Sequence, residues 1–253
     1  MKHVKRARFG HGVRIGVGGT SLVEVLVAVA ISSVCLAIAY GSVIIQSQRQ
    51  MKQAAVSEAQ HASRVAFDVL TQQLANVGFG VPGASSPSAA PAIVAAEPTK
   101  LTFWTNTRTD HTYLTSAVAK ANSTINVLST SGMAAGTSVY VTDDTQWFLA
   151  TVRSVSGTAV QLAQPTTVGF AAGSLVLPVE QVTFSFADGT AQRNGHPFIH
   201  DVTALSFTYD ATTLENIRVI TISMTMRSRV AHARGTRQSF TLGARIAPPN
   251  LAL

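Results

Sequence analysis

Two hydrophobic patterns follow one another in the first third of the chain, and both predict a helix. No residue from Val25 to Ile45 is charged, and a helix of these 21 residues is about 31 Å long, enough to cross the hydrocarbon core of a membrane. After Gln46, apolar residues recur at spacings of three and four, as in an amphipathic helix. We therefore predict one continuous helix with a transmembrane half at 20–45 and an amphipathic half at 46–80.

Glycine and proline end this pattern, and the rest of the chain is typical of β-structure. Gly78, Gly80 and Pro82 stop the helix, and small residues predict a linker at 81–95. From about residue 93 onward, runs rich in β-branched and aromatic residues are separated by Gly, Asp and Asn, which predicts strands. The predicted strands cover 101–105, 124–128, 138–141, 147–155, 160–162, 182–186, 205–209, 217–226 and 238–246.

The order of these elements indicates the fold class. No helical pattern of ten to fifteen residues alternates with the strands, which disfavours a parallel, doubly wound sheet. The sequence therefore predicts an α+β protein. Its long N-terminal helix is transmembrane in the first half and amphipathic in the second, and packs on a C-terminal antiparallel β-sheet domain at 96–253.

Basic residues are concentrated before the helix. The formal net charge is +7, but five of the 19 Lys and Arg lie in residues 1–19, which contain no acidic residue. The remainder has 14 basic and 12 acidic residues, so the overall charge does not favour nucleic acid as a partner. Because basic segments stay in the cytoplasm, the N-terminus is predicted to be cytoplasmic and the β domain to lie across the membrane.

One acidic residue stands at the start of the apolar run. Glu24 follows Gly18, Gly19, Thr20 and Ser21 by a few positions and precedes the uncharged segment directly. A carboxylate at the centre of a bilayer costs about 2.5–3.5 kcal/mol, and less near the interface. A carboxylate at such a position usually has a partner group that interacts with it. The plain alternative is an interfacial Glu that extends its carboxylate towards water.

The segment from Gly19 to Ala28 resembles the class III signal of type IV pilins and pseudopilins. In that family a prepilin peptidase cuts after the glycine, the new N-terminal residue is methylated, and a glutamate is fifth in the mature chain. The resemblance implies a leader at 1–19, cleavage between Gly19 and Thr20, N-methylation of Thr20, and Glu24 as the carboxylate of an assembly charge pair. Thr20 departs from the Phe or Met that the family usually has there.

Two later stretches, 64–79 and 201–251, resemble PilW-type minor pilins and J-type secretion pseudopilins. The resemblance implies a minor pilin of the type IV pilus, a structural subunit that helps to start or cap the filament. Its expected partners are other minor and major pilins or pseudopilins, the prepilin peptidase and the inner membrane. The single-pass chain would place its C-terminal domain in the periplasm before it enters the pilus or pseudopilus.

Three other functions remain as alternatives. A J-type pseudopilin of type II secretion would share all of these features. A membrane-anchored periplasmic enzyme or binding protein would need a pocket with convergent polar groups. DNA uptake would use five late arginines near a predicted hairpin, although a solvated sheet edge that resists strand pairing is the simpler explanation. These arginines are Arg218, Arg227, Arg229, Arg234 and Arg237.

Candidate chemistry is sparse, and we predict neither an enzyme nor a cofactor or metal site. His196 and His200 are four apart, but Pro197 lies between them and both are expected in a loop. Asp143 and Asp144 are expected in an ordinary turn rather than a calcium site. The lone cysteine, Cys35, is expected to be a small buried residue of the apolar helix.

Overall fold

The computed structural model describes residues 21–82, 90–143, 145–231 and 237–251. Its first element is helix α1, Leu22–Ala75, with 54 residues. The continuous helix predicted from the two hydrophobic patterns is therefore confirmed. It ends at Ala75 rather than at 80, because Asn76–Gly80 form turns in which Gly78 and Gly80 adopt positive φ.

Contacts divide the chain into two units, Met1–Gln53 and Ala54–Leu253. In the first unit, every residue from Ser21 to Met51 is exposed except Gly41. The expectation that Cys35 is buried is wrong for the isolated chain, because it lies exposed on this segment.

In the second unit, one face of α1 is buried in a hydrophobic core. Ser63, Phe67, Leu70 and Leu74 are buried, at spacings of four, three and four. This is the spacing that places side chains on one face of a helix. The helix thus packs on the antiparallel β domain, as the α+β prediction states.

Thirteen strands follow the helix within the described residues. They are β1 (Ile93–Glu97), β2 (Lys100–Thr105), β3 (Thr112–Tyr113), β4 (Thr124–Asn126), β5 (Ser138–Thr142), β6 (Trp147–Ser156), β7 (Ala159–Leu162), β8 (Leu175–Ala187), β9 (Thr190–Arg193), β10 (His196–Ile199), β11 (Val202–Tyr209), β12 (Ile220–Ala231) and β13 (Arg237–Ile246). All observed pairings are antiparallel. β1 begins inside the predicted linker 81–95, and β12 begins at Ile220 rather than at 217, because Leu214–Asn216 form a 3₁₀ turn.

The 13-residue strand β8 links two halves of the larger sheet. Its C-terminal half pairs with β2 and β9, and β1 and β10 extend this half at either side. Its N-terminal half pairs with β3 and β5, and β6, β7 and β4 follow in order. Leu114 then pairs with Val127, so the segment after β3 meets the end of β4 and closes these six strands into a small barrel.

Each half has its own hydrophobic core. The first core joins α1 to β2, the C-terminal half of β8 and the separate three-stranded sheet β11–β12–β13, with Leu70, Phe103 and Phe207 among its buried members. The second core fills the barrel and contains Ile125 and Val160, both completely buried. The single β domain predicted from the sequence therefore contains two large cores that share β8, and a smaller cluster of Ala90, Tyr140 and Val179.

Candidate functional site

The first turn of α1 contains the site that the sequence singles out. Gly19 and Thr20, the predicted cleavage and methylation residues, lie outside the described residues. Ser21 directly precedes the helix, and its carbonyl accepts hydrogen bonds from the N–H groups of Glu24, at 2.9 Å, and Val25, at 3.2 Å. Glu24 is therefore the third residue of the helix.

This position gives Glu24 a local role that the hydrophobic pattern alone does not reveal. The N-terminal turn of a helix has partial positive charge, and an acidic side chain there stabilises it by about 0.3–1 kcal/mol. Ser21 and Glu24 also have the spacing of a capping box, in which a serine before the helix and a glutamate three residues later satisfy free N–H groups. The Ser-x-x-Glu pattern was available from the sequence as a helix-start signal.

The surroundings of Glu24 are apolar and exposed. Leu22, Leu26 and Leu36 are 79%, 64% and 70% exposed. Of the described helices, α1 is the one long and apolar enough to cross a membrane. Among the residues described by the structure, no cation forms an ion pair with Glu24. An apolar surface of this extent needs lipid or protein to cover it, and Glu24 is exposed at its end.

The late arginines that the structure describes lie at both ends of a hairpin. β12 and β13 are that hairpin, as the sequence indicates, and Arg227 lies opposite Ser239 towards its far end, where Arg237 lines the same pocket as Arg227. Arg218 precedes β12 at the other end, where its guanidinium donates to the carbonyls of Glu215 and Ile217 at 2.6 and 3.1 Å. The side chain of Arg229 and all of Arg234 lie outside the described residues.

The histidine pair lies at the edge of the larger sheet. The expectation that both histidines are in a loop is wrong for His196, which is the first residue of β10, while His200 follows the last residue of that strand. β10 pairs with β9 alone within the described chain, so Pro197 can occupy it without breaking a central ladder. Over the same residues, no group of three His, Cys, Asp or Glu side chains is placed to hold a metal ion.

Asp143 forms the turn that the sequence predicts. Its carboxylate accepts hydrogen bonds from the N–H groups of Thr145 and Gln146, at 3.1 and 3.0 Å, and from the Thr145 hydroxyl at 2.7 Å. Slight burial raises the pKa of Asp143, but these hydrogen bonds outweigh it and the net pKa is lowered. The turn prediction is confirmed for Asp143, and Asp144 lies outside the described residues.

Comparison with protein-family models and with curated proteins finds no match to this chain. The class of protein therefore follows from the fold. The chain has one N-terminal helix able to cross a membrane, and a C-terminal antiparallel β domain packed on the end of that helix.

Proposed function

We propose that this chain is a minor pilin of the PilW type, a structural subunit that helps to initiate or cap a type IV pilus. The observation that supports the proposal best is Glu24. It is an exposed carboxylate in the first turn of an apolar helix of membrane length, at the fifth position after the proposed cut.

Processing would create the partner of this carboxylate. Cleavage between Gly19 and Thr20 by the prepilin peptidase releases a new amine at Thr20, which is then methylated and remains positively charged. The Glu24 carboxylate of one subunit pairs with the Thr20 amine of its neighbour. In an apolar environment this pairing offsets the desolvation of both charges, which is otherwise unfavourable.

The rest of the helix and the β domain have separate tasks in this proposal. The exposed apolar surface of α1 lies in the inner membrane before assembly and packs against other pilin helices afterwards. The basic leader keeps the N-terminus in the cytoplasm, which places the β domain in the periplasm. That domain then selects neighbouring subunits at the surface of the filament.

A J-type pseudopilin of a type II secretion system is the alternative within the same family. Both functions need the same helix and the same carboxylate, and they differ in the filament that receives the subunit. A membrane-anchored periplasmic binding protein is the alternative from another class. For that protein the identity of residues 19 and 24 would have no consequence for assembly.

Deletion and complementation of the gene test the proposal. Surface pili and type II secreted proteins are measured in parallel in the deletion strain and after complementation with the wild type, Gly19→Ser or Gly18→Ser. We expect the deletion to reduce pili and not secretion. Gly18→Ser, which keeps the glycine at the cut, should restore them, and Gly19→Ser should not. Loss of secretion with normal pili would favour the pseudopilin, and full activity of Gly19→Ser would contradict both family functions.

A further inference from the structure

A polar cleft opens where the two halves of the larger sheet join. Its volume is about 390 Å³, within the range of small-molecule sites. Strand β8 exchanges partners here, since Glu180 pairs with Thr105 of β2 whereas Val179 pairs with Ser138 of β5. β2 ends at Thr105 and β3 begins at Thr112, so residues 106–111 form a loop at the cleft instead of continuing the sheet.

Backbone contacts hold this loop in place. The N–H of Asn106 donates to the carbonyl of Phe79 at 2.7 Å, and the Asn106 side-chain amide donates to the carbonyl of Asp110 at 2.6 Å. A Cβ at Gly80 would collide with Asn106, and a Cβ at Gly132 would collide with the Asp110 carboxylate. Asn106 and Asp110 therefore pack closely against Gly80 and Gly132, which leaves the two side chains little room to move.

The same loop contains a strained residue. Thr109 has φ of 57°, and a β-branched side chain is a genuine outlier in this left-handed region. Such strain persists where surrounding contacts impose the conformation, and it is concentrated at binding and active sites. The loop is thus fixed in a conformation that its own sequence does not favour.

The lining of the cleft combines donors and acceptors without excess charge. Glu180 is already engaged, since it accepts from the Thr107 hydroxyl at 2.9 Å and from Arg193 at 3.0 Å. Arg108 and Asp110 then remain as one positive and one negative group. The amide of Gln181 and the hydroxyls of Thr137 and Ser138 each donate and accept hydrogen bonds.

We propose that this cleft binds a neutral carbohydrate. Sugar hydroxyls donate and accept hydrogen bonds, which matches a lining of amides, hydroxyls and one ion of each sign. A phosphate would be attracted by Arg108 but repelled by Asp110, and an apolar ligand would leave the polar lining unpaired. Thr105 supports the same choice, because it lines the cleft, is buried, and has no hydrogen-bond partner for its hydroxyl within the described residues. The inference does not depend on the proposed pilin function.

Saturation-transfer difference NMR on the full chain in lipid nanodiscs tests this proposal, since many detergents contain sugars. The probes are glucose, galactose, mannose, N-acetylglucosamine and lactose. Inorganic phosphate is the charged comparison, and because it has no carbon-bound protons its binding is followed by ³¹P line broadening. The best sugar is then titrated against Arg108→Ala and Gln181→Ala. The matched controls are Arg153→Ala and Gln161→Ala, at exposed positions of β6 and β7 away from the cleft. A thermal melt checks that each variant is folded.

We expect at least one sugar to bind, and each cleft variant to weaken its binding about tenfold, the usual effect of losing one or two ligand hydrogen bonds. The two controls should change binding less than twofold. The proposal is overturned if no sugar binds at about 10 mM, a concentration that exceeds the Kd of even a weak site of about 1 mM. It is also overturned if phosphate is the preferred probe, or if cleft and control variants behave alike. The affinity for the free sugar is then compared with the affinity for the same sugar in an immobilised oligosaccharide. Tighter binding to the oligosaccharide would identify a surface glycan as the ligand, and equal binding would identify a free sugar. Both results support the proposal.

Discussion

Replacement of Glu24 by Ala should leave membrane insertion nearly unchanged and strongly impair assembly. Cys35 is the midpoint of Val25–Ile45, and the helical rise places Glu24 about 16 Å from it, at the edge of a hydrocarbon core about 30 Å thick. Charged side chains that face lipid near an interface cost only about 0–1 kcal/mol. Loss of Glu24 also removes about 0.3–1 kcal/mol of interaction with the helix N-terminus. Insertion of the single chain should therefore change by no more than about fivefold.

Assembly should respond far more strongly. Removal of one partner from a buried ion pair costs about 3–5 kcal/mol, which corresponds to more than about a hundredfold in an equilibrium constant. Glu24→Gln should have nearly the same effect as Glu24→Ala, because both lose the charge. Asp68→Asn is the matched control, since Asp68 is an exposed carboxylate later on the same helix.

The assay measures the amount of each variant in washed membranes and in filaments sheared from the cell surface. We expect all three variants in membranes near wild-type levels, and only Asp68→Asn in filaments. Normal incorporation of Glu24→Ala into filaments would refute the charge-pair mechanism. Loss of Glu24→Ala from membranes would instead show that Glu24 acts in insertion or folding.

Three further predictions concern the β domain and the helix face that packs on it. Leu70→Ala, at a completely buried position, should lower the free energy of unfolding by about 2–5 kcal/mol in a urea titration. The control Val65→Ala, at a half-exposed position of the same helix, should change this free energy by less than about 0.5 kcal/mol. Tyr140→Phe should leave the free energy of unfolding unchanged or raise it by about 1 kcal/mol, because the buried Tyr140 hydroxyl has no hydrogen-bond partner within the described residues. A decrease of more than about 1 kcal/mol would contradict this prediction. The hydrogen bond from the Val219 amide lowers the pKa of Asp210. The ionised Asp210 carboxylate therefore stabilises the folded state fully above about pH 4, and this contribution is lost as the pH falls through the folded-state pKa. Asp210→Asn should therefore flatten the stability curve below about pH 4, and an unchanged acid slope would refute this assignment.

The helix and most of the longer strands were predictable because their patterns are local, although the 13-residue strand β8 was predicted only over 182–186. The uncharged run and the spacing of three and four fix α1 without reference to the rest of the chain. The alternation of Ile220, Ile222 and Met224 with polar residues similarly predicts β12, and all three apolar side chains are buried. Ends of elements were less accurate, because turns such as Leu214–Asn216 depend on local hydrogen bonds that hydrophobicity does not encode.

Strands β3, β9 and β10 and the closure of the barrel were not predicted. β3 has only two residues and exists because β8 supplies a partner for it. The barrel closes through one isolated pairing of Leu114 with Val127, which no local pattern indicates. In contrast, β9 and β10 were recognisable in principle, since Asn194 and Gly195 both have positive φ and Asn-Gly is a strong two-residue hairpin signal.

The candidate site at Glu24 was visible because an acid beside an uncharged run is anomalous. The polar cleft was not visible, because Arg108, Gly132 and Gln181 are far apart in sequence and come together only when β8 pairs with both β2 and β5. None of these residues departs from ordinary loop or strand composition. A site of this kind is a consequence of tertiary structure and can be found only once the fold is known.

Intact mass and N-terminal sequencing of the membrane-bound protein, with and without the prepilin peptidase, test the pilin proposal most directly. We predict a mature chain that begins at methylated Thr20 and appears only when the peptidase is present. A chain that keeps residues 1–19, or that another peptidase cuts elsewhere, would contradict the proposal and favour an anchored periplasmic protein.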